Sequence, residues 1–122
     1  MKIRYFEIAK KLAYNSDHPQ HRIGAVIVKK NRIVGMGFNK LRTHPKSPDL
    51  TYRSSHAEFM AILNTKETDL SGCEIYVFRV KKNGSQGISK PCKNCMGLIK
   101  QMMIDKVHYS CDDDTYQSED IK

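Results

Sequence analysis

No run of apolar residues approaches the ~20 that a membrane-spanning helix requires, so a helical membrane protein is not expected from this chain. The opening stretch, MKIRYFEIAKKLAYN, is charged and amphipathic. It lacks the apolar segment and small-residue cleavage site of a secretion signal, which makes a cytoplasmic location the expectation. Aromatic residues are only 8% of the chain and tryptophan is absent. They do not interleave regularly with the basic residues, as they would in a stacking platform for single-stranded nucleic acid. Cysteine is sparse: Cys73, Cys92, Cys95 and Cys111. With no secretion signal, Cys92 and Cys95 read as reduced thiols for metal or redox work rather than as half of a disulfide framework. Internal repeats and breaks in composition are also missing. A single domain over residues 1–122 is expected, long enough to bury a core without disulfides.

Positive charge is abundant. Lysine and arginine number 21 against 13 acids, a formal net charge of +8. A basic surface favours phosphate-bearing partners, and it also suits a plain solvated face. The residues involved include Lys10-Lys11, Lys29-Lys30-Arg32, Lys40-Arg42-Lys46, Lys81-Lys82 and Lys90-Lys93.

The apolar spacing of residues 2–15 predicts an amphipathic helix using Ile3, Phe6, Ala9 and Ala13. Pro19 follows as a breaker. IGAVIVKKNRIVGMGF predicts a hairpin turning around Lys29 to Asn31, with Gly24, Gly35 and Gly37 marking bulges or close backbone approach. A long polar loop is expected from Asn39 to Ser55. A second helix is expected from about Ser55 to Asn64, and a third from about Cys92 to Met103. CEIYVFRV, from Cys73 to Val80, reads as a strand buried on both faces; KVHYS, Lys106 to Ser110, reads as a last strand. Residues 111–122 are acidic and are expected to form a flexible tail. Right-handed crossovers place the second and third helices on one face of the sheet and leave the first to cover the other. The expected architecture is α/β: a three-layer α/β/α sandwich around a mixed sheet of four to five strands.

Two helix starts carry the chemistry: SSHAEFMAIL at 54–63 and KPCKNCMGLI at 90–99. A catalytic zinc takes three protein ligands and keeps one position open for water. His56, Cys92 and Cys95 supply that number and type, and a helix N-terminus favours thiolates. Glu58 lies two residues from His56 and so does not share its helix face. It is better placed beside the water, as a general base that takes a proton and passes it to a leaving group. Each feature has a plainer reading. Ser55-x-x-Glu58 fits a capping box, and Cys-x-x-Cys alone fits a redox pair.

HAE at 56–58 and PCKNC at 91–95 together match the His-x-Glu and Pro-Cys-x-x-Cys pattern of zinc nucleobase deaminases. The chain therefore resembles the cytidine and deoxycytidylate deaminase superfamily, in particular its compact phage-type deoxycytidylate-deaminase-like members. The resemblance implies a cytidine deaminase-like fold, zinc held by His56, Cys92 and Cys95, and proton transfer by Glu58. It also implies a substrate contact from the Ala57 amide and one from Asn39, which plainly read is a turn residue. The implied reaction is hydrolytic deamination of a pyrimidine nucleotide or nucleoside, foremost dCMP to dUMP, with release of ammonia. Arg42, His44, Lys46 and Arg53 are candidates for a 5′-phosphate, with Arg53 and His44 carried forward as substrate-binding residues. The chain departs from the family in reading GFNKLRTHPKS where deoxycytidylate enzymes carry Gly-Tyr-Asn-Gly, and the family's fifth strand is expected to be missing or rudimentary. Two other functions fit part of the sequence: a polynucleotide deaminase acting on tRNA adenosine or single-stranded cytosine, and a non-catalytic zinc module, which would have no use for Glu58. A homo-oligomer is expected, because a bare sheet edge invites pairing.

Overall fold

The computed structural model describes residues 2–18, 21–40, 56–67 and 69–121. The expected loop residues Arg42, His44, Lys46, Arg53 and Ser55 lie outside the described residues. In chain order the elements are α1 (Ile3–Ala13), β1 (His21–Lys29), β2 (Arg32–Phe38), α2 (Ala57–Asn64), β3 (Glu74–Lys81), β4 (Gln86–Gly87), α3 (Lys93–Gln101), β5 (Lys106–Ser110) and β6 (Tyr116–Asp120). The sheet order is β2-β1-β3-β5-β6, with β4 paired to β3. Only β3 and β5 run parallel. The other pairs are antiparallel, so the sheet is mixed.

The β1–β2 hairpin turns at Lys30 and Asn31, both with positive φ (50° and 63°). Such a two-residue turn matches the right-handed twist of the flanking strands, and Asn31 tolerates it well. Pairing shifts from Ile27–Gly35 to Val28–Ile33, leaving Val34 as the extra residue of a bulge. The glycines allow close contact with helices. A Cβ on Gly24 would lie 2.0 Å from the Ala9 carbonyl oxygen of α1, and one on Gly37 would lie 2.4 Å from the Ala61 nitrogen of α2.

The three-layer expectation holds. Tyr5, Phe6, Ala9 and Ala13 of α1 pack with Val26, Tyr76, Phe78 and Val80 on one face. Ala57 and Ala61 of α2 and Ile99 of α3 pack with Ala25, Ile27, Ile75, Val77 and Val107 on the other. This explains the nearly unbroken apolar run of β3: successive side chains enter different cores. Each fully buried side chain of Phe or Ile size contributes on the order of 1.5–3 kcal/mol. Ile3, expected on the buried stripe of α1, is 49% exposed; Tyr5 takes that place.

Two expectations are corrected. Among the described residues the sheet has six strands rather than four or five. Residues 111–122 are not a flexible tail without a fifth main strand, because Tyr116–Asp120 forms β6, antiparallel to β5. β6 is polar, and long-range partners hold it. Tyr116 stacks on Phe6 at 4.0 Å, and Glu119 and Asp120 pair with Lys90 and Lys106 at 3.1 and 3.8 Å. The run of aspartates before it is a turn: Asp114 has positive φ, and Cys111 N–H donates to the Thr115 carbonyl. Within the KKNGSQGISK segment lies the short β4, latched to that turn by Gln86, which donates to the Cys111 and Thr115 carbonyls. No described helix is long and apolar enough to cross a membrane.

Candidate metal centre and cleft

α2 and α3 both run back along the sheet from the carboxyl ends of the parallel pair β3 and β5, so their N-termini meet at one sheet edge. His56 is the N-cap of α2 and Cys92 the N-cap of α3, each with extended backbone. Cys95 stands three residues into α3, at the position that faces the cap in a capping box. This local geometry lets a Cys-x-x-Cys pair across a helix start aim both sulfurs at one point.

The potential ligand atoms of His56, Cys92 and Cys95 all lie within 4.8 Å of one another. Cys92 Sγ is 3.9 Å from His56 Nδ1. Tetrahedral zinc with bonds of about 2.0–2.3 Å separates its ligand atoms by roughly 3.3–3.8 Å, so the three side chains need to close by only a small amount to hold such an ion. The electrostatics agree. Burial, followed by the nearby Glu58 and Cys92, pushes the Cys95 thiol pKa far above its usual value. Only a strong local positive charge would make that buried sulfur a stable thiolate, and a divalent cation provides one. Cys73 and Cys111 are buried free thiols outside the cluster.

Glu58 is 4% exposed and stands outside the ligand group. Burial raises its carboxyl pKa, partly opposed by its own backbone, by His56 and by a hydrogen bond with Cys95. Burial thus favours the protonated carboxyl, and the neighbouring His56 and Cys95 oppose it. Its side chain faces Cys95 of the cluster, and among the described residues no side-chain cap bond closes the start of α2. The Ser55 half of the expected capping box falls outside the described residues.

Beside the cluster opens a cleft of about 420 Å³, lined by His56, Ala57, Glu58 and Cys92 and also by Asn39, Ser89, Arg79 and His21. Ala57 is the first residue of α2, and its N–H has no partner within the helix. Asn39 is 4% exposed. Its Oδ1 accepts from Ile23 N–H at 2.9 Å and its Nδ2 donates to the His21 carbonyl at 2.5 Å. Its amide is thus tied to β1, with one donor and one lone pair remaining among the described residues. Arg53 and His44 lie outside the described residues.

Ser89, which sequence reasoning passed over, fixes the approach to Cys92. Its Oγ donates to the Val77 carbonyl at 2.8 Å and accepts from Ser110 N–H at 2.9 Å. Ser110 Oγ in turn donates to the Gly87 carbonyl and accepts from Arg79 N–H. This buried pair anchors residues 87–90 to the ends of β3 and β5. Arg79 was also missed, although its signal is present: one charge in the otherwise apolar run CEIYVFRV.

Comparison with known proteins follows the same lines. An uncharacterized deaminase in the luxG 3′ region of Aliivibrio fischeri is 36% identical over 112 residues, covering 86% of this chain and 69% of that protein. Human deoxycytidylate deaminase is 30% identical over 122 residues, covering 88% of this chain. This chain spans 63% of the human protein's length. The dCMP deaminase of cyanophage S-TIM5 in apo form has a TM-score of 0.70 at 24% identity, over 91% of this chain and 86% of that one, and shows a common fold. Residues 1–111 match the family described as the cytidine and deoxycytidylate deaminase zinc-binding region, and the chain belongs to that family.

Proposed function

We propose that the protein is a zinc-dependent hydrolase that deaminates the cytosine ring of a free nucleotide, foremost dCMP, giving dUMP and ammonia. The observation that carries this reading is the buried Glu58 beside a three-ligand cluster, in a cleft of single-nucleotide size. Relatives named deoxycytidylate deaminase, in human and in a mycobacteriophage, support the choice of substrate. So does the phage enzyme whose fold is shared, a structure of which holds dCMP and dUMP.

His56, Cys92 and Cys95 would hold the zinc. Zinc bound by three protein ligands lowers the pKa of water to about 7 and so supplies a nucleophile at neutral pH. Glu58 takes a proton from the attacking water and delivers it to the ring nitrogen next to the reacting carbon. It then moves the second proton to the departing amino group, so that water plus cytosine becomes uracil plus ammonia. The buried place of Glu58 beside the cluster supports this role. The Ala57 N–H donates to the pyrimidine carbonyl, and Asn39 offers its remaining donor to the base or sugar. A non-catalytic zinc module has no need of a buried carboxyl at this place.

Ammonia release from cytidine, deoxycytidine, their 5′-monophosphates and a cytosine-bearing oligonucleotide tests the reading. Glu58→Gln keeps the shape of the side chain and removes its proton transfer. Zinc content is expected to be unchanged and kcat to fall by about 10²–10⁴-fold. A zinc-replete wild type inactive on the whole panel overturns the proposal.

A further inference from the structure

Resting on the deaminase reading of this cleft, we propose that Arg79 is the specificity residue that seats the substrate's 5′-phosphate. Side chains alternate along β3. Ile75 and Val77 enter the core beneath α2 and α3, so Arg79, two residues on, emerges on the same face where those helices begin. It lines the same cleft as His56, Glu58 and Cys92, from the end of β3 rather than from a helix start. Its stem passes over Gly87, the residue opposite it on β4. A Cβ on Gly87 would sit 3.0 Å from Arg79 Cδ and 3.2 Å from Nε, so the missing side chain gives the arginine its room.

The guanidinium is only partly engaged. Arg79 Nη2 lies 2.5 Å from His21 Nδ1. Its Nε is buried without a hydrogen-bond partner, and among the described residues no acid pairs with it. An arginine fork in such a position has donors left for an incoming anion. Among the described residues Glu58 is the only acidic one that lines the cleft, while His18, His21 and Lys90, itself paired with Glu119, line it with Arg79. Burial, then the positive charge of Arg79 and His18, depress the His21 pKa. A base beside Glu58 and an anion beside Arg79 complement the two ends of the cleft.

A phosphate of this kind comes either from a mononucleotide or from inside a polynucleotide, and the geometry of a short cleft favours the mononucleotide. Calorimetric titration of the zinc-loaded protein with deoxyuridine, deoxyuridine 5′-monophosphate and a uracil-bearing single-stranded oligonucleotide separates them. Ratios of kcat/KM for deoxycytidine, its 5′-monophosphate and a cytosine oligonucleotide give a second readout. Wild type is expected to favour the monophosphate over the nucleoside by about 10–100-fold, the size of a charge-assisted contact. Arg79→Gln is expected to bring that ratio close to one, and Arg79→Lys to restore part of it, with zinc content and melting temperature matching wild type. Gly87→Ala, which crowds the arginine stem without touching its charge, is expected to lower the same ratio. Equal affinity of wild type for nucleoside and monophosphate, a preference that survives in Arg79→Gln, or tighter binding of the oligonucleotide than of the monophosphate overturns the inference. Arg79-dependent binding of the monophosphate without ammonia release from any substrate sinks the deaminase reading and leaves the phosphate seat standing. Equal turnover of deoxycytidine and its monophosphate does the reverse.

Discussion

Replacing Gly37 by alanine tests how tightly the sheet positions the metal centre. The new Cβ would lie 2.4 Å from Ala61 N, 2.7 Å from Met60 C and 2.8 Å from Met60 Cβ. Two of these neighbours are backbone atoms in the middle of α2, so no rotamer change relieves the clash. Restoring an ordinary contact of 3.4 Å to Ala61 N requires the helix and strand to part by about 1 Å (3.4 − 2.4). Overpacking of this kind costs about 1–3 kcal/mol, which for a chain of this size lowers Tm by roughly 4–12 °C. The consequence for the site is larger than the stability loss. α2 carries His56 at its cap and Glu58 in its first turn, whereas Cys92 and Cys95 ride on α3. Ligand distances tolerate only about 0.2 Å, so a shift of α2 relative to α3 separates the imidazole from the sulfurs. Thermal unfolding and zinc stoichiometry on the same preparation measure both effects. Gly97→Ala on the exposed side of α3, where a Cβ meets nothing within 4 Å, is the matched control. It is expected to stabilise by about 0.5–1 kcal/mol, because alanine is the better helix former. A Gly37→Ala protein with wild-type Tm and full zinc would refute the claim that α2 backbone contact sets the ligand geometry.

Chelation is expected to lower Tm, because bound metal joins the ends of α2 and α3. At a free zinc level of 1,000 Kd the stabilisation is about 4 kcal/mol, and a Cys92→Ala protein that responds equally to chelator contradicts the ligand assignment. His108 should make stability depend on pH. It is 2% exposed, with Nε2 2.6 Å from Glu74 Oε1 and Nδ1 2.5 Å from Ser118 Oγ. Burial depresses its pKa below 6.5 despite the opposing carboxylate, so the ring is neutral, donating to Glu74 and accepting from Ser118. A depressed native pKa confers stability above about 6.5 that is lost as pH falls through the native value. Urea midpoints are therefore expected to drop from pH 7 to pH 5 more steeply in wild type than in His108→Gln, and equal slopes would count against a neutral buried ring.

The grouping of His56, Cys92 and Cys95, with Glu58 beside it, was legible in the sequence because its geometry is local. A cap residue and the residue three positions on face each other at any helix start, so PCKNC specifies where both sulfurs point, and HAE places the imidazole and the carboxyl on different sides of the first turn. The hairpin at Lys30-Asn31, the glycines under the helices and the doubly buried β3 were legible for the same reason: turn conformation and side-chain period are properties of neighbouring residues. Tertiary structure alone decided the rest. β6 has no apolar alternation of its own and exists through Phe6, Lys90 and Lys106, residues distant in sequence. Asn39 is drawn to the β1 backbone by the register of the hairpin. Arg79 looks from its sequence like a flaw in a core strand, and becomes a cleft residue because β3 outruns the helices covering it and Gly87 leaves its stem room. A local pattern records the conformation each segment favours; which charges and rings meet across the sheet depends on pairing between segments, and that is settled only when the chain closes on itself.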